Sequence, residues 1–199
     1  MAGHVDTDRG GRLYLLRHGE TEWSQSGRHT GRTEVPLTEH GRELARAAGA
    51  LPLAPKAPFL VLSSPRARAR ETAELAGLRV DRVDERLAEW DYGAYEGVTT
   101  PEIRRTVPGW TVWTHPCPDG ETAAAVQDRA DDLLVAVSGE LAGGDVVLAG
   151  HGHFGRVLLA RWAGLRSTEG VRFAMSAPAW AVLGHERGVR RIDHLNVVP

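Results

Sequence analysis

Apolar side chains run without interruption from Leu13 to Leu16, from Phe59 to Leu62 and from Val146 to Ala149, and each run stops at a polar cluster. Short continuous runs of this kind mark strands covered on both faces, so strands are expected over residues 12–17, 59–62 and 145–149. Between them the spacing becomes helical. Thr38 is placed to cap a helix running to about residue 51. Ser64 followed by Pro65 reads as the start of another, running to about residue 76, because serine caps free amides and proline tolerates the first helical position. Ala124, Val126, Leu133, Leu134 and Val137 give residues 121–141 a helical stripe that Gly143 and Gly144 end. A short strand is expected at 78–83, a modest helix at 101–107, a helix from the 150–155 turn to about residue 164, and two last strands at 179–185 and 189–195. Residues 19–36 and 109–120 read as loops.

Strands alternating with helices predict an α/β fold, a three-layer sandwich around a mostly parallel central sheet. No linker, repeat or low-complexity run divides the chain, so residues 12–199 read as one domain behind a flexible tail over residues 1–11. In such sheets ligands gather beyond the C-terminal ends of the strands. The polar residues that follow the apolar runs are therefore the first candidates for chemistry.

Composition narrows the class. The chain has 199 residues, 42% of them hydrophobic, and a net charge of −2, which is enough for a single core and lacks the basic excess of a nucleic-acid binder. No apolar run approaches the roughly 20 residues that cross a bilayer. Lone Cys117 can neither pair internally nor build a multi-cysteine zinc site, and residues 1–12 carry no apolar block, so a cytoplasmic compartment is expected. Lys56 is the only lysine among many arginines. A guanidinium fork suits phosphate or carboxylate, although a coding bias explains the surface arginines as a group.

Three clusters stand where ligands are expected. Arg17-His18-Gly19-Glu20-Thr21 follows the first strand, and its histidine is placed to attack phosphorus beside a glycine that lets backbone approach a ligand. Ser63-Ser64-Pro65-Arg66-Ala67-Arg68-Ala69-Arg70 follows the second, with arginines at alternate positions that cannot share one helix face, so one of them is expected to reach the ligand. Gly150-His151-Gly152-His153 follows the last core strand.

With Leu87-Ala88-Glu89, Gly93 and Glu96-Gly97, these ordered motifs resemble the histidine phosphatase superfamily, which includes the cofactor-dependent phosphoglycerate mutases, over residues 13–183. Glu22-Trp23-Ser24, Arg28-His29-Thr30-Gly31, Glu89-Trp90-Asp91-Tyr92-Gly93 and His151-Gly152-His153-Phe154 are similar to its branch of acid phosphatases and sugar-bisphosphate phosphatases. The resemblance implies a metal-independent phosphatase without a cofactor, acting on a small phosphorylated molecule as a monomer or homodimer. It implies that His18 is the nucleophile, that Arg17, Arg68 and His151 surround the phosphoryl oxygens, and that Glu89 donates a proton to the leaving group. It also aligns Ser24, Arg28, His29, Thr30, Gly31, Gly152 and His153 with substrate-binding positions. Ser24 stands where many mutases have asparagine. For His29 an exposed loop imidazole is an equal reading, and for His153 a packing role is.

Other readings fit less of the chain. Gly150-x-Gly152-x-x-Gly155 matches a dinucleotide fingerprint but lacks the acidic residue after the next strand. His151-x-His153 offers half a metal site with no third ligand at a recognised spacing. A cysteine phosphatase needs arginine six positions after its nucleophile, where Ala123 stands, and Asp6-Thr7-Asp8 has no strand before it. The phosphoglycerate mutases carry a long basic insertion, whereas here residues 98–120 hold only Arg104, Arg105 and His115 as basic side chains, which favours hydrolysis.

Overall fold

The computed structural model describes residues 10–199. Residues 1–9 of the expected tail, including Asp6-Thr7-Asp8, lie outside the described residues. Gly11, assigned to that tail from sequence, already belongs to the fold. Its amide donates to the Leu141 carbonyl at 2.7 Å, and no Cβ would fit against Gly144.

The elements in order are β1 (Leu13–Arg17), α1 (Glu22–Ser26), α2 (Glu39–Ala50), β2 (Leu60–Ser63), α3 (Ala67–Leu75), β3 (Arg82–Val83), α4 (Thr100–Ile103), α5 (Ala123–Glu140), β4 (Val146–Gly150), α6 (Gly152–Trp162), β5 (Ala179–Glu186) and β6 (Val189–Val197), with three 3-10 turns between them. The strands form one six-stranded sheet in the order β3-β2-β4-β1-β5-β6. Pairings from β3 through β1 are parallel, and only β5 runs against the rest. The predicted α/β class and mostly parallel sheet are what the chain forms.

Strand alternation explains the three layers. Leu13, Leu15, Leu62, Val146 and Leu148 join one buried cluster with α5 and α6, while Tyr14, Leu16, Val61, Val147 and Ala149 join a second with Ala48 of α2 and Ala73 of α3. Neighbouring residues of a strand point to opposite faces, so an unbroken apolar run fills both clusters at once. Trp110, Trp113, Trp162 and Trp180 all lie in these cores.

Four local expectations are revised. The 19–36 loop contains α1, closed by a reciprocal cap in which Thr21 Oγ1 accepts from Ser24 N and Ser24 Oγ accepts from Thr21 N. The helix expected from Ser64 begins at Ala67 instead: Ser64 Oγ accepts the Arg66 amide at 3.2 Å, and the Glu34 carboxylate accepts the Ala67 amide at 3.1 Å. The strand expected over 78–83 shrinks to two residues, since the Asp81 carboxylate takes the Val61 amide at 2.9 Å in place of a ladder carbonyl. The helix expected over 101–107 is the single turn α4.

Candidate active site

The register β1–β4 pairs Arg17 with Gly150, and the His18 amide donates to the Gly150 carbonyl at 2.9 Å. Two polar clusters more than 130 residues apart in sequence therefore leave the sheet side by side. The loop after β1 is pressed onto α2 backbone to backbone: a Cβ on Gly19 would lie 2.6 Å from the Gly41 carbonyl oxygen, and one on Gly41 would lie 2.3 Å from that of Glu20. Thr72 of α3 completes the clamp, accepting the Gly19 amide at 2.9 Å and donating to the Arg68 carbonyl at 2.7 Å.

His18 is held in one protonation state and one tautomer. Its Nδ1 lies 2.7 Å from the Gly19 carbonyl oxygen, which can only accept, so Nδ1 carries the proton and Nε2 keeps its lone pair. Burial, then the charges of Arg68 and Arg17, push its pKa well below the ordinary histidine value, outweighing the carbonyl bond. The ring is neutral and nucleophilic at Nε2. His151 packs edge-on against it with ring centroids 5.2 Å apart.

The arginines beside it are anchored by carbonyls. Arg68, fully buried, donates to Thr33 O at 2.8 Å and to Thr30 O and Gly31 O at 3.1 Å. Arg17 donates through Nη1 to Met175 O. Gly152 makes room for it, since a Cβ there would lie 3.0 Å from Arg17 Cζ. Of the alternating arginines only Arg68 turns inward, as the helix geometry requires. Among the described residues four buried side-chain nitrogens have no hydrogen-bond partner: Nε of Arg17, Arg66 and Arg68, and Nδ1 of His151. Three of them belong to the predicted phosphate cluster. Buried polar atoms without partners cost about 1–3 kcal/mol each, and an anion is the ligand that would satisfy the arginine Nε donors.

Glu89 occupies the N-terminus of α6. Its Oε1 accepts from Trp90 N at 2.9 Å and Phe154 N at 2.7 Å, and its Oε2 from His153 N at 3.0 Å. Three of the roughly four lone-pair sites of a carboxylate are thus used, and one remains on Oε2. The anion-favouring amides at the 150–155 turn are consequently taken by the chain's own carboxylate, and not by a dinucleotide. Arg129 braces the Glu89 segment by donating to Arg86 O and Ala88 O at 2.8 and 2.7 Å.

A cleft of about 280 Å³ opens over this assembly, lined by Arg17, His18, Glu89, Gly152 and His153 and walled by Ser24, Arg28, His29 and Thr30. Nine of the twelve residues expected at the site line it. Arg68 and His151 sit buried alongside His18 without lining the open cleft. Gly31 departs from expectation: its amide donates to Glu96 and its carbonyl carries Arg68, so it supports the site from behind. Ser24 borders the cleft, but its hydroxyl is spent on the α1 cap, donating to Thr21 O at 3.0 Å.

His29 is buried, which corrects the exposed-imidazole reading. Its ring lies tilted against Tyr92 and edge-on to Trp110, with centroids 4.7 and 5.2 Å away, and burial lowers its pKa to about 4. His153 both packs and lines the cleft, with Nδ1 2.6 Å from the Tyr92 hydroxyl. Its partner and that of His151 differ, and among the described residues no group of three or more His, Cys, Asp or Glu is placed to hold a metal. Cys117 is buried and its thiol pKa is raised to about 11, chiefly by desolvation, so it is a poor nucleophile.

Sequence reading passed over Arg156, Thr100 and Met175, which also line the cleft. Arg156 was findable, since it lies three residues after His153 and so on the same face of α6. It donates to Gly170 O at 3.0 Å and Val171 O at 3.1 Å and stacks 4.7 Å over Trp113, which fixes a cation at the rim.

Comparison with known proteins agrees with this geometry. The sequence pattern of the histidine phosphatase superfamily (branch 1) matches residues 13–198. The chain is 51% identical to an acid phosphatase of Mycobacterium tuberculosis over 191 residues, 95% of this chain and 94% of that one. It is 34% identical to the sedoheptulose 1,7-bisphosphatase of Saccharomyces cerevisiae, with 77% of this chain and 68% of that one covered. A solved Mycobacterium tuberculosis open-reading-frame product superimposes with a TM-score of 0.92 at 49% identity, covering 96% of this chain and 99% of that one.

Proposed function

The chain belongs to the histidine phosphatase superfamily and is a phosphoric monoester hydrolase, and from that premise we propose that it cleaves small phosphorylated metabolites through a phosphohistidine on His18. The observation that carries the reading is the Nδ1 bond of His18 to Gly19 O, which leaves a neutral Nε2 lone pair for in-line attack. As the phosphorus–oxygen bond to the leaving group breaks, Arg17, Arg68 and His151 stabilise the phosphoryl oxygens with donors that have no internal partner. Glu89 delivers a proton to the leaving oxygen through its open Oε2 site. In the second half it takes a proton from water, which attacks phosphorus, breaks the N–P bond and releases phosphate.

A cleft of about 280 Å³ suits a triose- to sugar-sized phosphate. Arg28 and the pinned Arg156 at its edge favour a substrate with a second anionic group, in keeping with the bisphosphatase likeness. Thr30 and His29 complete the wall that the rest of the substrate meets. We place the enzyme in the cytoplasm, a reading supported by its single free, buried cysteine; no helix among the described residues is long and apolar enough to cross a membrane.

The test is release of inorganic phosphate from an aryl phosphate and from a panel of sugar phosphates and bisphosphates, with chelator present. Phosphate release that chelator does not diminish and vanadate inhibits is expected. Interconversion of 3- and 2-phosphoglycerate on priming with the bisphosphate, without phosphate release, would make the chain a mutase and overturn the proposal.

A further inference from the structure

The Ser64 hydroxyl has a distant partner besides the local amide it accepts. Ser64, fully buried, lies with Oγ 2.7 Å from His151 Nε2, across 87 residues of sequence. The same Oγ accepts the Arg66 amide at 3.2 Å. A hydroxyl has one hydrogen to give, and among the described residues the recorded partner of Oγ that is able to accept it is His151 Nε2. Were Nε2 protonated instead, Oγ would receive two donors and its own hydrogen would be buried without an acceptor, which costs about as much as a lost hydrogen bond.

We propose that Ser64 is a positioning residue: its hydroxyl donates to Nε2 and thereby fixes His151 as the tautomer protonated on Nδ1, so that the buried, unpartnered nitrogen beside His18 is a donor and not a lone pair. Two further observations agree. His151 occupies the N-cap of α6 yet its side chain makes no capping bond, because Glu89 has taken the His153 and Phe154 amides, so a lone pair on Nδ1 would have nothing to accept. Burial, with Arg68, His18 and Arg17 nearby, holds the ring neutral, so it carries one proton and the choice of nitrogen matters.

The consequence rests on the phosphatase reading above. A donor on Nδ1 stabilises phosphoryl oxygen, whereas a lone pair there would repel it. His18 and His151 are thus set to opposite roles by the same device, a fixed partner on the other ring nitrogen. In both rings Nδ1 is protonated. In His18 that proton is spent on Gly19 O, freeing Nε2 to attack, and in His151 the Ser64 bond frees Nδ1–H to donate.

The experiment is long-range nitrogen–proton NMR of the imidazole rings in the intact protein, with the His151 signals identified by their loss in His151→Asn. A pyrrole-type Nδ1 and a pyridine-type Nε2 on His151 are expected in the wild type. The reverse pattern overturns the proposal, and this result does not depend on Ser64→Ala folding. In Ser64→Ala the His151 tautomers should mix, and kcat/KM for an aryl phosphate and vanadate affinity should each fall about tenfold or more. An unchanged tautomer in Ser64→Ala also overturns it. Absence of phosphate release by the wild type would instead sink the phosphatase reading, while the spectra would still decide the tautomer.

Discussion

Replacing Glu89 with glutamine changes one oxygen for an amide group and separates chemistry from structure. Glutamine can keep its oxygen where Oε1 accepts the Trp90 and Phe154 amides. Its amide nitrogen then faces His153 N at the 3.0 Å position now held by Oε2, donor against donor. That leaves one buried backbone amide unsatisfied, a loss of about 1–3 kcal/mol, which for a chain of this size lowers Tm by roughly 2–12 °C. The chemical effect is separate and larger. Without a proton to give, departure of a sugar alkoxide should slow by about 10²–10⁴-fold, or about 3–5 kcal/mol of barrier, whereas nitrophenolate leaves readily without one. Steady-state kcat for p-nitrophenyl phosphate and for a sugar phosphate, measured on wild type and Glu89→Gln, reads the difference. Equal slowing of both substrates would refute Glu89 as the acid, and an unchanged Tm would refute the hydrogen-bond geometry around it.

Two further expectations concern charge. Arg156→Met removes the cation pinned by Gly170 O and Val171 O; KM for a bisphosphorylated sugar should rise about tenfold or more, the worth of a hydrogen bond to a charged group, while p-nitrophenyl phosphate is little affected. Equal effects on both substrates would argue against a second anionic subsite. His18, His29, His151 and His153 all have pKa values lowered by burial, that of His29 to about 4. Above about pH 6.5 these rings are neutral in both folded and unfolded chains; below it the unfolded chain takes up protons that the fold refuses. Stability is therefore lost as pH falls from about 6.5 toward the folded values, by up to about 1.4 kcal/mol per histidine per pH unit. Urea midpoints followed from pH 7.5 to 5 check this, and a flat profile would contradict it.

How far the sequence reaches can be seen residue by residue. The sheet was legible because strands buried on both faces must be apolar at every position, as Leu13, Tyr14, Leu15 and Leu16 are. Thr38 and its helix were legible because a cap is a local bond. Ser64 was half legible for the same reason: its bond to the Arg66 amide is local, whereas its partner His151 lies 87 residues away. The catalytic cluster showed itself through motif resemblance, since nothing local says that Arg17 and Gly150 share a register. The surroundings of Glu89 stayed hidden because its three amide donors include two from a helix more than 60 residues away. Burial of His29 depends on rings contributed by Tyr92, Trp110 and His153, each from a different segment. Arg156 was within reach of helical periodicity alone.

Everything proposed for catalysis requires phosphorus to become bonded to one nitrogen. Rapid acid-free quenching of the enzyme with phosphorus-labelled substrate, followed by peptide mapping, tests this directly. Base-stable, acid-labile label on Nε2 of His18, absent in His18→Ala, is the expected result; turnover with no labelled histidine, or label elsewhere in the chain, would contradict the account.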